Sequence, residues 1–201
     1  MVIVDYGVGN LYSLKSSFAF IGEEVTVTSK KEEIEKADKI ILPGVGAFGD
    51  AMAKLRASGL DKVLIERAKA GVPIMGICLG MQLLFEKSYE YGEHEGLGLI
   101  KGEIRPISEV IPKDYKIPHI GWNALRFEKN HFLFKYIKEG DCVYFVHSYF
   151  ATDCKNSVIA TAEYDKYLTA AVAKDNVLGC QFHPEKSGDV GLNMLKAFCE
   201  V

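Results

Sequence analysis

The sequence predicts an α/β fold, with a mostly parallel central sheet flanked by helices and an additional antiparallel strand region. Three observations carry that expectation. Short apolar runs alternate with amphipathic stretches over residues 2–87, joined by short connections. Those apolar runs are continuous, the pattern of parallel strands covered on both faces. From Gly96 the texture changes to strand-like runs separated by turns, and a helix-like segment closes the chain.

Taken in order, residues 2–5 form the first apolar run, ended by Gly7 and Gly9. Asn10 has the short polar side chain of an N-cap, and Leu11, Leu14, Phe18 and Ile21 follow at helical spacing until Gly22. Residues 24–28 read as a strand with Val25 and Val27 on one face, 30–37 as a short charged helix, and 39–42 as a buried strand. Two helical stretches, 48–57 and 60–70, are punctuated by Gly59 and Gly71. An apolar strand over 72–77 leads into a helix expected over 79–87. The later strand-like runs are 96–107, 122–127, 143–150, 158–164, 168–173 and 177–182. A last helix over 187–200 offers Val190, Leu192, Leu195 and Phe198 to a core. No internal repeat, low-complexity segment or linker interrupts the pattern, so 1–201 reads as one domain.

Composition narrows the function classes. Lys and Arg number 24 against 27 Asp and Glu, a net charge of −3, which argues against a nucleic-acid binder relying on bulk positive charge. The longest apolar run, 72–85, is broken by Pro73, Gly76, Gly80 and Gln82 and is too short to span a bilayer. The first residues lack a basic n-region and read as a strand, so no signal peptide is expected. Five cysteines (Cys78, Cys142, Cys154, Cys180, Cys199) form no Cys-x-x-Cys pair. A disulfide framework or zinc knuckle is therefore not expected, and a reducing cytoplasm is the simplest compartment.

Three clusters could carry chemistry. Gly76-Ile77-Cys78-Leu79-Gly80 runs from strand to helix with a nucleophile-type residue at the corner and a glycine on either side. Residues without a Cβ let neighbouring backbone approach while the nucleophile points out, and a helix N-terminus favours a thiolate. The plainer alternative is a buried cysteine in a glycine-rich turn. A thiolate wants a base, and the base an orienting group. Of His94, His119, His131, His147 and His183, only His183 has a carboxylate fixed two residues on, in Gln181-Phe182-His183-Pro184-Glu185. Residues i and i+2 of an extended backbone project to one side, so Glu185 can hold the imidazole; a surface pair is the alternative. Pro43-Gly44-Val45-Gly46, after the strand over 39–42, could free backbone N–H groups for an oxyanion or be an ordinary turn. The Gly7-x-Gly9 pair suggests a dinucleotide loop only weakly, since Tyr12 stands at the third glycine position. The other histidines show no ligand spacing, so no metal is expected.

Together these segments resemble the three motifs of the class I (triad) glutamine amidotransferases, in that family's order and with Cys78 and His183 105 residues apart. The resemblance runs from residue 2 to the last helix. It is supported by Asp5-Tyr6-Gly7-Val8-Gly9-Asn10, Pro118-His119-Ile120-Gly121-Trp122-Asn123, Tyr144-Phe145-Val146-His147-Ser148-Tyr149 and Lys186-Ser187. It implies a flavodoxin-like sheet and a glutaminase using Cys78 as nucleophile, His183 as acid–base and Glu185 as orienting acid. It further implies an oxyanion hole from Gly44, Val45, Gly46 and Leu79, with the Val45 peptide as a gate. Glutamine contacts carried over by motif are Gln82, Glu90, Ser148 and Tyr149. No cofactor is implied. The expected partner is a (β/α)8-barrel cyclase subunit in a heterodimer, with Asn10, Trp122 and Lys186 at the interface; Lys186 could equally be a plain solvated lysine. Three other readings share the residues: a stand-alone cysteine hydrolase, an inactive scaffold domain, and a paralogous subunit feeding a different acceptor enzyme.

Overall fold

The computed structural model describes residues 1–201. The first half builds β1 (Val2–Val4), α1 (Leu11–Phe20), β2 (Thr26–Thr28), α2 (Lys31–Glu35), β3 (Ile40–Leu42), α3 (Phe48–Ser58), α4 (Leu60–Lys69), β4 (Ile74–Ile77) and α5 (Leu79–Leu83). The second half adds β5 (Phe85–Ser88), β6 (His94–Glu95), β7 (Ile100–Pro106), β8 (His119–Phe127), β9 (Cys142–His147), β10 (Tyr149–Thr152), β11 (Val158–Tyr164), β12 (Lys166–Lys174), β13 (Val177–Cys180) and α6 (Gly188–Cys199). No helix is long and apolar enough to cross a membrane.

Nine strands form one sheet in the order β2-β1-β3-β4-β13-β12-β11-β8-β9. The run β2-β1-β3-β4-β13 is parallel throughout, and every junction from β13 to β9 is antiparallel. The sheet is thus mixed: the antiparallel strands expected as an additional region continue the parallel sheet edge to edge. Both faces of its parallel half are buried. Val2, Val4, Ile40, Leu42 and Ile74 pack with Phe48, Met52, Leu55 and Leu64 of α3 and α4. On the other face Ile3, Ile41, Met75 and Ile77 pack with Leu14 and Phe18 of α1 and Met194, Leu195 and Phe198 of α6. Strands with apolar side chains on both faces are why these segments read as continuous apolar runs.

Two expectations are corrected. The helix expected over 79–87 stops at Leu83, and Phe85–Ser88 is strand β5 of a second sheet, ordered β10-β7-β5-β6. The chain turns there because the backbone of the following segment takes the carbonyls a helix would use. Leu97 N–H donates to Leu83 O, Ile100 N–H to Leu84 O and Gly98 N–H to Phe85 O. Gly96 permits this approach, since a Cβ on it would stand 2.1 Å from Phe85 O. The single strand expected over 143–150 is instead two, because the chain leaves the large sheet after His147 and enters the second sheet at Tyr149. Ile107 N–H donates to the Ser148 carbonyl at that crossing.

Candidate active site

The three motif-bearing strands are neighbours. Leu42 of β3 lies in register with Gly76 of β4, and Ile77 of β4 with Cys180 of β13, all parallel. Segments far apart in sequence therefore emerge side by side at one carboxyl edge, where open α/β sheets place their reactive groups.

The elbow is dictated by sterics. Cys78 has φ +56° and ψ −113°, a conformation an L-residue holds only when its surroundings impose it. Those surroundings are backbone against backbone. A Cβ on Gly76 would lie 2.6 Å from Gly80 O, one on Gly80 1.8 Å from Leu42 O, and one on Gly44 2.8 Å from Gly80 N. The glycines thus dock α5 onto the ends of β3 and β4, and Cys78 is left at the helix start. Cys78 N–H donates to Cys180 O at 2.8 Å, tying the elbow to β13.

His183 follows β13 and is fixed from two sides. Its N–H donates to Tyr144 O at 3.0 Å, and Ser187 Oγ donates to its carbonyl at 2.6 Å. The imidazole Nδ1 meets Glu185 Oε1 at 2.8 Å, with both side chains almost completely buried. The residue spacing predicts an extended segment here. Instead Pro184–Lys186 is a 3₁₀ turn, and it is this turn that folds the carboxylate back beneath the ring. The second carboxylate oxygen, Oε2, is buried without a hydrogen-bond partner. Burial alone would lower the His183 pKa; the neighbouring Cys78 sulfur and the hydrogen-bonded Glu185 carboxylate outweigh it and hold the ring up at about 9. An imidazolium between sulfur and carboxylate suits a thiolate nucleophile, because the thiol's proton stays on the ring for a leaving amine.

A cavity of about 370 Å³ opens over this pair, lined by Val45, Gly46, Leu79, Gln82, Glu90, Ser148 and Tyr149 and reached by Lys186. Such a volume falls in the range of small-molecule sites. Gly44 is not on its wall: it is buried against Tyr6 and Gly80. Val45 is exposed and Gly46 has φ +97°, so the middle of the loop is open while its ends are fastened. Tyr6 OH donates to Pro43 O at 2.7 Å, and Phe48 N–H donates to Glu90 Oε2 at 2.6 Å. Burial raises the Tyr6 phenol, helped by nearby Cys78, and keeps it a neutral donor. Burial likewise raises the Glu90 carboxyl above its usual range. Asn10 and Trp122 lie outside the cavity. Asn10 caps α1 through Oδ1 to Ser13 N–H, and Trp122 stands half-exposed on β8.

Sequence reasoning missed Tyr6 and Gln181. Gln181 is fully buried, and its Nε2 reaches Cys78 Sγ at 3.8 Å. It adjoins the His183 motif, but nothing local shows where its amide points.

A cysteine, a histidine and a carboxylate gathered at the carboxyl edge of an open α/β sheet fit an acyl-transfer enzyme, and the family match names its class. The chain belongs to the class I glutamine amidotransferases: the family model described as glutamine amidotransferase class-I matches residues 2–200. Its relatives narrow the likeness. It is 51% identical over 201 residues to imidazole glycerol phosphate synthase subunit HisH of Lactococcus lactis, covering 100% of this chain and 98% of that one. It is 48% identical over 199 residues to the subunit of the same name from Aquifex aeolicus, covering 98% and 94%. Among solved structures, a glutamine amidotransferase superposes with a TM-score of 0.76 at 21% identity, covering 98% of each chain. PurLQS of Thermotoga maritima gives 0.75 at 21%, covering 99% and 96%. At such identities these two structures speak for the fold alone.

Proposed function

We propose that this chain, as one glutamine amidotransferase domain, is the glutaminase subunit of an imidazole glycerol phosphate synthase. It would hydrolyse glutamine to glutamate and ammonia. The ammonia would pass to a cyclase subunit that makes imidazole glycerol phosphate and AICAR in histidine biosynthesis, in the cytoplasm. The observation that carries the chemistry is the buried His183–Glu185 pair, 2.8 Å apart, beside the strained Cys78.

In this reading Cys78 Sγ attacks the side-chain amide carbon of glutamine. The carbonyl oxygen becomes an oxyanion held by backbone N–H groups of Val45 and Gly46, in the loop after β3, and of Leu79. His183 gives its proton to the departing nitrogen, ammonia leaves, and a γ-glutamyl thioester remains. Water then adds to the thioester with its proton going to His183, and glutamate is released. Gln82, Glu90 and the Ser148–Tyr149 backbone hold the substrate, with Glu90 facing its α-amino group. Because Glu90 also caps α3 at Phe48, directly after the oxyanion loop, the group that recognises substrate is mechanically joined to that loop.

Ammonia set free in water is protonated and ceases to be a nucleophile, so a partner over the cavity is required. The proposed partner is a (β/α)8-barrel cyclase, forming a heterodimer. An apolar surface suits it: Ile120 and Trp122 are exposed on β8, and across the strand pair they face Val146 and Tyr144. Val146 and Pro118 line the cavity itself, so this surface is continuous with the mouth. Lys186 stands exposed at the rim in no ion pair of the chain, and Asn10 lies just beyond β1 at the same sheet edge.

The deciding experiment measures glutamate release by the chain alone and with the cyclase subunit plus its nucleotide ligand, with Cys78→Ala as blank. Low activity alone and a large rise in the complex are expected, with none from Cys78→Ala. Full activity without the partner would instead make the chain a free-standing hydrolase. Lys186→Met is expected to weaken the partner's stimulation several-fold and leave the melting temperature unchanged, since exposed charges contribute little to stability. Equal stimulation in a titration with the cyclase would remove Lys186 from the interface.

A further inference from the structure

We infer that Gln181 is a further catalytic residue, whose side-chain N–H donates to the Cys78 sulfur in an orientation dictated by the Tyr149 carbonyl. The inference rests on the glutaminase reading for its consequence in turnover, but its geometry stands independently. Gln181 Nε2 lies 3.8 Å from Cys78 Sγ, within hydrogen-bonding reach of a sulfur. Its Oε1 accepts from Gln82 Nε2 at 2.9 Å. The same Gln82 nitrogen donates to Tyr149 O at 3.2 Å.

A carboxamide can be turned end for end, and only its neighbours decide which end is which. Here they decide completely. A backbone carbonyl only accepts, so the Gln82 atom facing Tyr149 O is its NH2 group. That NH2 group also meets Gln181, so the Gln181 atom facing it is the oxygen. The remaining atom of the Gln181 amide, the one turned to the sulfur, is therefore nitrogen. The carbonyl at the head of the chain is itself fixed: His147 Nδ1, 2.8 Å away, donates to it as well.

An N–H aimed at sulfur favours the form with the stronger acceptor. A thiolate accepts well, whereas a thiol or a thioester sulfur accepts poorly. Gln181 thus acts at two points. It favours the thiolate form of Cys78, the form that attacks substrate. In the second half-reaction water adds to the thioester carbonyl and its proton passes to His183. The C–S bond then breaks, its electron pair stays on Sγ, and the Gln181 N–H donates a hydrogen bond to the thiolate so formed. Glutamate departs and the thiolate–imidazolium pair is restored, with no other reactant needed.

Gln181→Met keeps the length of the side chain and removes the donor; Gln181→Glu keeps the shape and turns an acceptor toward the sulfur. The first readout is the rate of iodoacetamide alkylation at Cys78 at neutral pH in the isolated chain, followed on the Cys78 peptide by mass spectrometry. The second is kcat and KM for glutamine in the complex. Hydrogen bonds to charged groups correspond to about tenfold or more in rate, so alkylation and kcat are each expected to fall by about that factor in Gln181→Met. KM should stay within about twofold. Gln181→Glu should fall at least as far, and answers the question if the methionine variant does not fold. Wild-type alkylation in either folded variant overturns the inference. A wild-type complex that releases no glutamate would sink the glutaminase reading, yet leave the alkylation result to judge Gln181.

Discussion

Glu185→Gln is expected to lower kcat for glutamate release by about 10³–10⁴-fold in a chain that still folds, the scale seen when the orienting acid of a triad becomes an amide. The cause is visible in the site. Burial opposes a charge on His183, and the ring is held near a pKa of about 9 by the adjacent Cys78 sulfur and by its hydrogen bond to Glu185. An amide can keep a hydrogen bond to Nδ1 but supplies no charge, so the ring's pKa falls. The change also alters stability. An unfolded imidazole titrates near about 6.5, and the folded value lies above it. The extra stability from charged His183 is therefore fully present below about 6.5 and is lost as pH rises through about 9. Removing the Glu185 charge should flatten the wild-type fall in melting temperature across that window. Ring-proton titration of His183 by NMR, with melts at several pH values, reads both effects. An unshifted titration with a wild-type rate would reduce Glu185 to a neighbour of the histidine.

The parts of this site legible in the sequence are those fixed by local backbone geometry. Gly76 and Gly80 flank Cys78 because no Cβ fits between α5 and the strand ends, so the pattern is written in consecutive residues. His183 and Glu185 are two residues apart and joined by one tight turn. What could not be read depends on partners distant in the chain. The end of α5 at Leu83 is set by hydrogen bonds from residues 97–100. The break at Ser148 is set by the second sheet, which claims Tyr149–Thr152 against β7. A run such as Val143–Phe150 keeps strand character throughout and carries no sign of changing sheets. Gln181 and Tyr6 were likewise silent: the direction of an amide or a phenol is decided by Gln82, Tyr149 and Pro43, all far away in sequence. The mixed character of the sheet has the same origin, since alternation shows that a strand exists but not which neighbour it meets.

Gly80→Ala sets two rules against each other, and their magnitudes decide the outcome. Gly80 lies inside α5, where alanine is favoured over glycine by about 1 kcal/mol. On propensity alone the substitution stabilises. The new Cβ would, however, stand 1.8 Å from Leu42 O, 2.8 Å from Leu42 C and 3.1 Å from Pro43 C. These are backbone atoms of β3 and of the loop after it, so no side chain can swing away. Either α5 moves off the sheet or the strand end is displaced. Overpacking typically costs about 1–3 kcal/mol even where side chains can adjust. Taking the upper end of that cost against the propensity gain, about 2 kcal/mol or more of net destabilisation is expected, read as a lowered urea midpoint. Activity should suffer beyond the loss of folded protein, because Cys78 and Leu79 ride on the displaced helix start. Gly121→Ala is the control: its nearest neighbour beyond the adjoining residues is Asn123 Oδ1 at 3.7 Å, so its unfolding free energy should stay within about 0.5 kcal/mol of wild type. A Gly80→Ala midpoint at or above the wild-type value would mean that α5 does not rest on β3 at this distance. The steric account of the elbow, and of the strained Cys78 it holds, would then fail with it.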